Sequence, residues 1–260
     1  MPEYSVKDVV ELASKAGKVV LENGGEIYRV EQTMSYICMA YGILDCECFA
    51  APTMIIISVS DAEEKTYSKM LRITSRTTNL EKVAAVNDLS RSLSQRPIPI
   101  VDAAEILNNI DNVPSYSFLS VAVASSIGVA AFTIVFGGGI RDFLCGIVLG
   151  ALLRFIVHAL KNIKIGDFTA NLVCGAFAAI GGYTVTYYMG VATDWWIITL
   201  SVLMLLVPGL LFTNALRDIA AGDLVSGVSR TMEAFSIVTA LACGSAVTYT
   251  ILVQIGGPLL

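Results

Sequence analysis

The hydrophobic positions of this chain follow two different regimes. Through residues 1–112 they recur with helical or alternating spacing among charged residues, and from 113 onward they run together. In the first regime Val6, Val9, Val10, Ala13, Ala16, Val19 and Val20 mark one helix face, and Asn23-Gly24-Gly25 stops it. A second helix is predicted from Glu26 to Tyr41, with Ile27, Val30, Met34, Ile37 and Cys38 on one side and Gly42 at its end. Strand-like runs follow at Cys46–Phe49 and Met54–Ser60, separated by Ala-Pro, and a third fits Tyr67–Thr74. Helical spacing returns at Asn79–Leu93 and Val101–Ile110, and the Pro-rich stretches Gln95-Arg-Pro-Ile-Pro and Asn112-Val-Pro-Ser lead out of this part.

Beyond it, the segments 112–140, 168–193, 195–216 and 234–260 contain no Asp, Glu, Lys or Arg and are 29, 26, 22 and 27 residues long. A helix needs about 20 apolar residues to cross a bilayer. A further apolar run, Phe143–Leu160, is interrupted only by Arg154 and His158. Continuous runs without alternation favour helices over barrel strands. Five spans are predicted, at 116–137, 141–160, 168–189, 195–213 and 234–255. The fold class expected is an α-helical integral membrane bundle of about five transmembrane helices (113–260) with an N-terminal soluble α+β domain (1–112).

Charge sets an orientation. Arg91 and Arg96 precede the first span, Lys161 and Lys164 lie between the second and third, and Arg217 and Arg230 between the fourth and fifth. The opposite loops carry Arg141 beside Asp142, and Asp194. Because Lys and Arg concentrate on the cytoplasmic side, the N-terminus is expected inside, the C-terminus outside, and the 1–112 domain cytosolic. Residues 1–115 hold 11 Lys/Arg against 16 Asp/Glu, and 116–260 hold 6 of each, so the net −5 belongs to the first part. No basic stripe is present to track phosphates, which argues against nucleic acid as a partner. The chain opens Met1-Pro-Glu-Tyr-Ser-Val-Lys-Asp without the apolar run of a signal peptide.

Candidate chemistry is sparse outside two places. The six cysteines, Cys46-Glu47-Cys48 among them, lack zinc or thioredoxin spacing and read as core or strand thiols of a reducing compartment. His158 is the one histidine, so no His-based metal site and no cofactor are expected. Arg154 and His158, four apart, share a face of the second span, either lining a polar path or with Arg154 snorkelling to the headgroups. Gly146-x-x-x-Gly150 permits close helix contact. No Gly-x-x-x-x-Gly-Lys-[Ser/Thr], Gly-x-Ser-x-Gly or His-Glu-x-x-His is present.

The first notable place is Asn23-Gly-Gly-Glu-Ile-Tyr-Arg-Val-Glu, where Glu26, Arg29 and Glu31 stand close on one helix. They form either a capped helix start with a surface ion pair or a polar cluster able to bind a ligand or move a proton. The second is Val207 to Glu233. Pro208-Gly209 breaks the fourth span, because proline removes a backbone donor, and broken helices at membrane depth persist where they line a cavity or are buried in protein. Asn214, Arg217 and Asp218 follow at spacings of three and four, then Asp223, Arg230 and Glu233, with Gly222 and Gly227 between. Arg217 offers a planar fork for a carboxylate, while Asp218 or Asp223, partly desolvated, suits proton transfer.

The block Pro-Gly-x4-Asn-Ala-x-Arg-Asp-x3-Gly-Asp-x3-Gly-x2-Arg resembles the core signature of the threonine/serine exporter family of secondary transporters. Gly24-Gly25-Glu26-Ile-Tyr28-Arg29-Val30-Glu31, with Tyr41-Gly42 and Pro52-Thr53, resembles that family's soluble N-terminal region, although members often have Ala where Gly25 stands. Members fused into one chain carry more spans than the five read here, so the chain looks like the larger subunit of the split, two-chain form. The resemblance implies an inner-membrane exporter of small polar amino acids (threonine or serine) or related small carboxylates, driven by the proton motive force, with a small membrane-protein partner subunit. Whether five-span chains also form a homo-oligomer stays open.

On this reading Asn214, Arg217 and Arg230 bind the substrate, Asp218, Asp223 and Glu233 couple protons, and Pro208 and Gly209 break the helix. The alternative is a membrane-anchored enzyme whose cytosolic domain acts on a small metabolite through Glu26, Arg29 and Glu31. Five spans are more than an anchor needs.

Overall fold

The computed structural model describes residues 5–60, 65–114, 116–163, 165–192 and 194–256. Lys164, used above for orientation, lies outside them, as do the opening residues 1–4 and the closing residues 257–260. The chain divides into two compact units, Met1–Ser115 with Leu210–Thr231, and Tyr116–Gly209 with Met232–Leu260. The polar segment between the fourth and fifth apolar runs therefore groups with the N-terminal residues.

In the first unit, helix α1 (Val6–Glu22) starts from a capping box in which Ser5 and Asp8 satisfy each other's backbone amides. Helix α2 (Ile27–Ala40) ends at Tyr41, and Gly42 follows with φ +82°, a left-handed conformation that glycine adopts without strain. Strands β1 (Cys46–Ala51) and β2 (Met54–Ser60) form a hairpin around Pro52-Thr53, with Ala51 opposite Met54. Strand β3 (Thr66–Arg72) pairs antiparallel with β2, giving the order β1-β2-β3. Helices α3 (Leu80–Gln95, capped by Asn79) and α4 (Ile100–Asp111) complete the N-terminal part.

The core forms where the apolar faces of α1 and α2 meet the sheet. Val9, Val20, Ile27, Met34, Ile37, Ile55 and Ile57 are all buried there. Each such aliphatic side chain contributes roughly 1.5–3 kcal/mol of burial. Strand β2 alternates buried Ile55, Ile57 and Val59 with half-buried partners, the pattern of a sheet with one covered face.

The second unit carries the apolar helices α5 (Phe118–Val135), α6 (Ile140–Asn162) and α7 (Asp167–Tyr183), the last continuing through a π-helical turn at Thr184–Tyr188. It also carries α8 (Trp195–Met204) and most of α10 (Leu224–Gly256). Here packing is backbone against backbone. A Cβ added to Gly146 would lie 2.9 Å from Ala130 Cα, and one on Gly150 2.7 Å from Ser126 Cα, so α5 and α6 meet only because those positions lack side chains. Gly175 and Gly244 do the same between α7 and α10, where added Cβ atoms would come within 2.3 Å of the Leu241 oxygen and 2.1 Å of the Leu172 oxygen. Without a hydrophobic force between helices in lipid, such close contact supplies the attraction. The Phe118 ring at the start of α5 stands 5.0 Å from that of His158 on α6.

Among the described residues, four helices are long and apolar enough to cross a membrane, and a fifth span arises if the pair Trp195–Met204 and Gly209–Ala221 counts as one broken helix. The fourth run, read as broken at Pro208-Gly209, divides in two: α8 ends at Met204 and α9 (Gly209–Ala221) begins after Pro208. One boundary differs from the sequence reading. The final helix does not begin near 234 but at Leu224, so Arg230 and Glu233, expected in a loop, are helical. Apolar counting misses those first turns because their helix is polar on one side.

Candidate functional site

The site is assembled from the loop joining α1 to α2 and the turn joining α9 to α10, all within the first unit. At the end of α1, Asn23 turns its amide back to the Val19 carbonyl (2.7 Å), and Gly24 takes φ +93°. The Gly25 amide then donates to the Val20 carbonyl at 2.9 Å. A Cβ on Gly25 would stand 2.4 Å from Val20 Cγ1 and 2.9 Å from the Val20 oxygen, so the backbone passes where a side chain would otherwise be. This turn leaves the carbonyls of Gly24 and Gly25 and the first amides of α2 in need of partners. Glu26 occupies the N-cap position, but its side chain does not cap the helix.

The partners come from about 190 residues further along the chain. Helix α9 places Asn214, Arg217 and Asp218 on one face, one turn apart. Asn214 Nδ2 donates to the Gly24 carbonyl (3.0 Å), and Asp218 Oδ1 accepts from the Ile27 amide (3.3 Å), capping α2 in place of Glu26. From the second turn of α10, Arg230 Nη2 donates to the Gly25 carbonyl (2.9 Å) while Nη1 stands 3.1 Å from Asp218 Oδ2. The Asp218 and Arg230 side chains are 0% and 4% exposed. A charge pair so deeply buried holds only because each partner makes further hydrogen bonds.

Helices α9 and α10 can present these groups together because of two glycines. Gly222 has φ +96°, its amide bonds to the Ile219 carbonyl, and the Asp223 amide bonds to the Asp218 carbonyl at 2.9 Å, which is a Schellman ending for α9. Gly227 lets α10 press against α9: a Cβ there would lie 2.4 Å from Ile219 Cγ1 and 3.0 Å from the Ala215 oxygen.

Above the buried pair lies a second ionic layer. The Glu26 carboxylate, 10% exposed, takes Arg217 Nη1 on Oε1 and Arg29 Nε on Oε2. Arg217 and Arg29 remain 58% and 38% exposed, and Arg29 also rests against the Tyr28 ring, 5.6 Å from its centroid. Two guanidinium groups share one carboxylate, so the layer carries a net positive charge facing solvent. Each guanidinium has five donors, and the Glu26 contacts use only some of them.

Glu31, expected near Glu26 and Arg29, turns instead to β1, where its Oε1 accepts from the Ala50 amide (2.8 Å). Burial pushes its carboxyl above the usual range, the Ala50 amide opposes this, and nearby Asp223 adds to the rise. Asp223 is half-buried and immediately precedes α10, where a negative charge suits the helix dipole. Pro208 and Gly209 lie at the break between α8 and α9, and Glu233 falls in the second unit. Arg29, Glu26, Arg217, Asn214, Asp218 and Arg230 are thus brought together.

Sequence reasoning missed Ser226, whose hydroxyl reaches the Ala50 carbonyl at 3.4 Å, and the receiving carbonyls of Gly24 and Gly25. The glycines were visible as a motif, whereas nothing around Ser226 marks it out. Among the described residues no group of three or more His, Cys, Asp or Glu side chains is placed to hold a metal ion.

Comparison with known proteins covers both motif blocks. A Corynebacterium glutamicum protein named threonine/serine exporter is 22% identical over 245 residues, covering 92% of this chain and 50% of its own length. An uncharacterized Schizosaccharomyces pombe protein is 27% identical over 177 residues, covering 64% of this chain and 20% of its own. The chain therefore spans half or less of the length of these curated relatives. No solved structure matches it. The family model described as "Putative threonine/serine exporter" matches residues 11–252, and this chain, a multi-pass membrane protein, belongs to that family.

Proposed function

We propose that the protein is a subunit of a secondary exporter that moves threonine, serine or a related small carboxylate out of the cell across the inner membrane, driven by the proton motive force. The observation that carries this reading is the pair of exposed guanidinium groups, Arg217 and Arg29, converging on the buried carboxylate of Glu26. A net positive, donor-rich surface of this kind attracts a carboxylate, and arginine's fixed fork binds one in two-point fashion. Arg217 meets the substrate carboxylate first. Asn214 and Arg230 bind it by exchanging the Gly24 and Gly25 carbonyls that they hold in this state. Asp218, Asp223 and Glu233 carry the coupled protons, and the break at Pro208-Gly209 supplies the flexible joint of the broken helix.

The N-terminus lies in the cytoplasm and the C-terminus outside, a reading supported by the distribution of Lys and Arg. A small membrane-protein partner completes the transporter, a reading that fits a chain spanning 50% of the length of the Corynebacterium glutamicum relative. The test is flux of labelled threonine, serine and succinate in proteoliposomes under an imposed proton gradient, with this chain alone and with a small membrane protein encoded beside it. Gradient-dependent flux of one substrate with both proteins present is expected. Loss of that gradient dependence is expected in Asp218→Asn and Asp223→Asn, and unaltered pH dependence in both would remove the proton-carrying role.

A further inference from the structure

A second group of reactive side chains lies on the β1 side of α2. Cys38 is buried on α2, and Cys46 and Cys48 project from the face of β1 that packs on the core. Being two residues apart on a strand, Cys46 and Cys48 share that face, and their sulfurs stand 3.5 Å apart. Cys38 is a further sulfur partner of Cys46, so two thiols converge on Cys46. Those contacts lower the Cys46 pKa to about 4, while Cys38 and Cys48 are held up as thiols by the same contacts and by burial. Cys46 and Cys48 are half-buried and within reach of a small reagent, whereas Cys38 is fully enclosed. The arrangement is one nucleophilic sulfur with a second sulfur poised beside it.

We propose that Cys46 and Cys48 are a modification site that forms a reversible disulfide by exchange with a low-molecular-weight disulfide of the oxidised-glutathione type. The Cys46 thiolate attacks one sulfur of the reagent, forming a mixed disulfide and expelling one thiolate. That thiolate takes the Cys48 proton. The Cys48 sulfur then attacks Cys46 and expels the second thiolate. Two protein thiols are oxidised, and one external disulfide is reduced to two thiols.

The product alters the strand. Alternate residues of an extended strand have Cα atoms about 6.8 Å apart, the upper end of what a disulfide spans. The bridge therefore draws Cys46 and Cys48 together and puckers β1. Ala50 is the next residue on the same face, and its amide and carbonyl are the groups held by Glu31 and Ser226. Oxidation loosens that connection.

The experiment uses the full-length protein in detergent micelles, incubated with oxidised glutathione, alkylated, digested and analysed by mass spectrometry. The peptide carrying Cys46 and Cys48 should lose two hydrogens and take no alkyl label, and dithiothreitol should reverse this. Cys46→Ser and Cys48→Ser should each abolish the change, and Cys38→Ser should leave it. Amide exchange of the segment containing Ala50 should be faster in the oxidised protein. Full labelling of both cysteines, stable glutathione adducts without a bridge, or a Cys38–Cys46 bridge would overturn the assignment. Unchanged exchange around Ala50 would overturn the loosening.

Discussion

Asp218 does two jobs with two oxygens: Oδ1 caps the first amide of α2, and Oδ2 faces the Arg230 guanidinium. Asp218→Asn keeps an oxygen for the Ile27 amide but removes the charge that faces the buried Arg230 guanidinium. Breaking a buried pair from one side costs about 3–5 kcal/mol, so thermal unfolding in detergent should show a marked loss of stability. Asp218→Ala should cost more, because the cap goes as well. A variant that melts with the wild type would mean the pair contributes nothing to holding the two motif blocks.

Glu31 gives the pH prediction. Its carboxyl is raised by burial, so the folded state favours the protonated form, and the stability it contributes is present below the unfolded pKa and lost as pH rises through the folded one. Glu31→Gln keeps an acceptor for Ala50 without that charge. The variant should therefore gain stability relative to wild type between about pH 4 and pH 7. Parallel melting curves across that range would show that the Glu31 charge carries no penalty.

At the scale of elements, the turn between α9 and α10 depends on glycines in two distinct ways. Gly227→Ala places a methyl group into Ile219 and the α9 backbone, so the helices must separate, at a cost of about 1–3 kcal/mol. Gly222→Ala meets no atom within 4 Å but must hold φ +96°, a strain of about 1–2 kcal/mol. Melting of the two variants checks both. Only Gly227→Ala should also expose the Asp218–Arg230 pair, read as faster amide exchange at Ile27.

Most elements here were legible in the sequence. The α1 stop at Asn23, the β1–β2 turn at Pro52-Thr53 and the apolar helices each follow from local chemistry. What was not legible was the pairing. Asn214, Arg217 and Asp218 looked like a helix face aimed at a ligand, yet in this state Asn214 and Asp218 serve the backbone of residues about 190 positions earlier. Spacing along one helix fixes which side chains share a face. It says nothing of which distant backbone groups need partners, and that need arises from the turn at Gly24-Gly25.

At the scale of the molecule, the chain is a multi-pass membrane protein with a polar unit built from its N-terminal residues and the segment Leu210–Thr231. The two motif blocks are far apart in sequence and meet in that unit, through Asn214 and Arg230 on the carbonyls of Gly24 and Gly25. It spans half or less of the length of its curated relatives.

The central claim is that the exposed ionic layer over Glu26 receives the substrate. The most direct measurement is gradient-driven threonine flux in proteoliposomes containing Arg217→Ala beside wild type, each with the small membrane neighbour and each checked by melting. Because Arg217 is 58% exposed, its loss should hardly move the melting temperature, while removal of a charged hydrogen-bond donor should reduce flux at subsaturating threonine by about tenfold or more. Wild-type flux from a normally folded Arg217→Ala protein would contradict the account and leave the cluster a purely structural clasp.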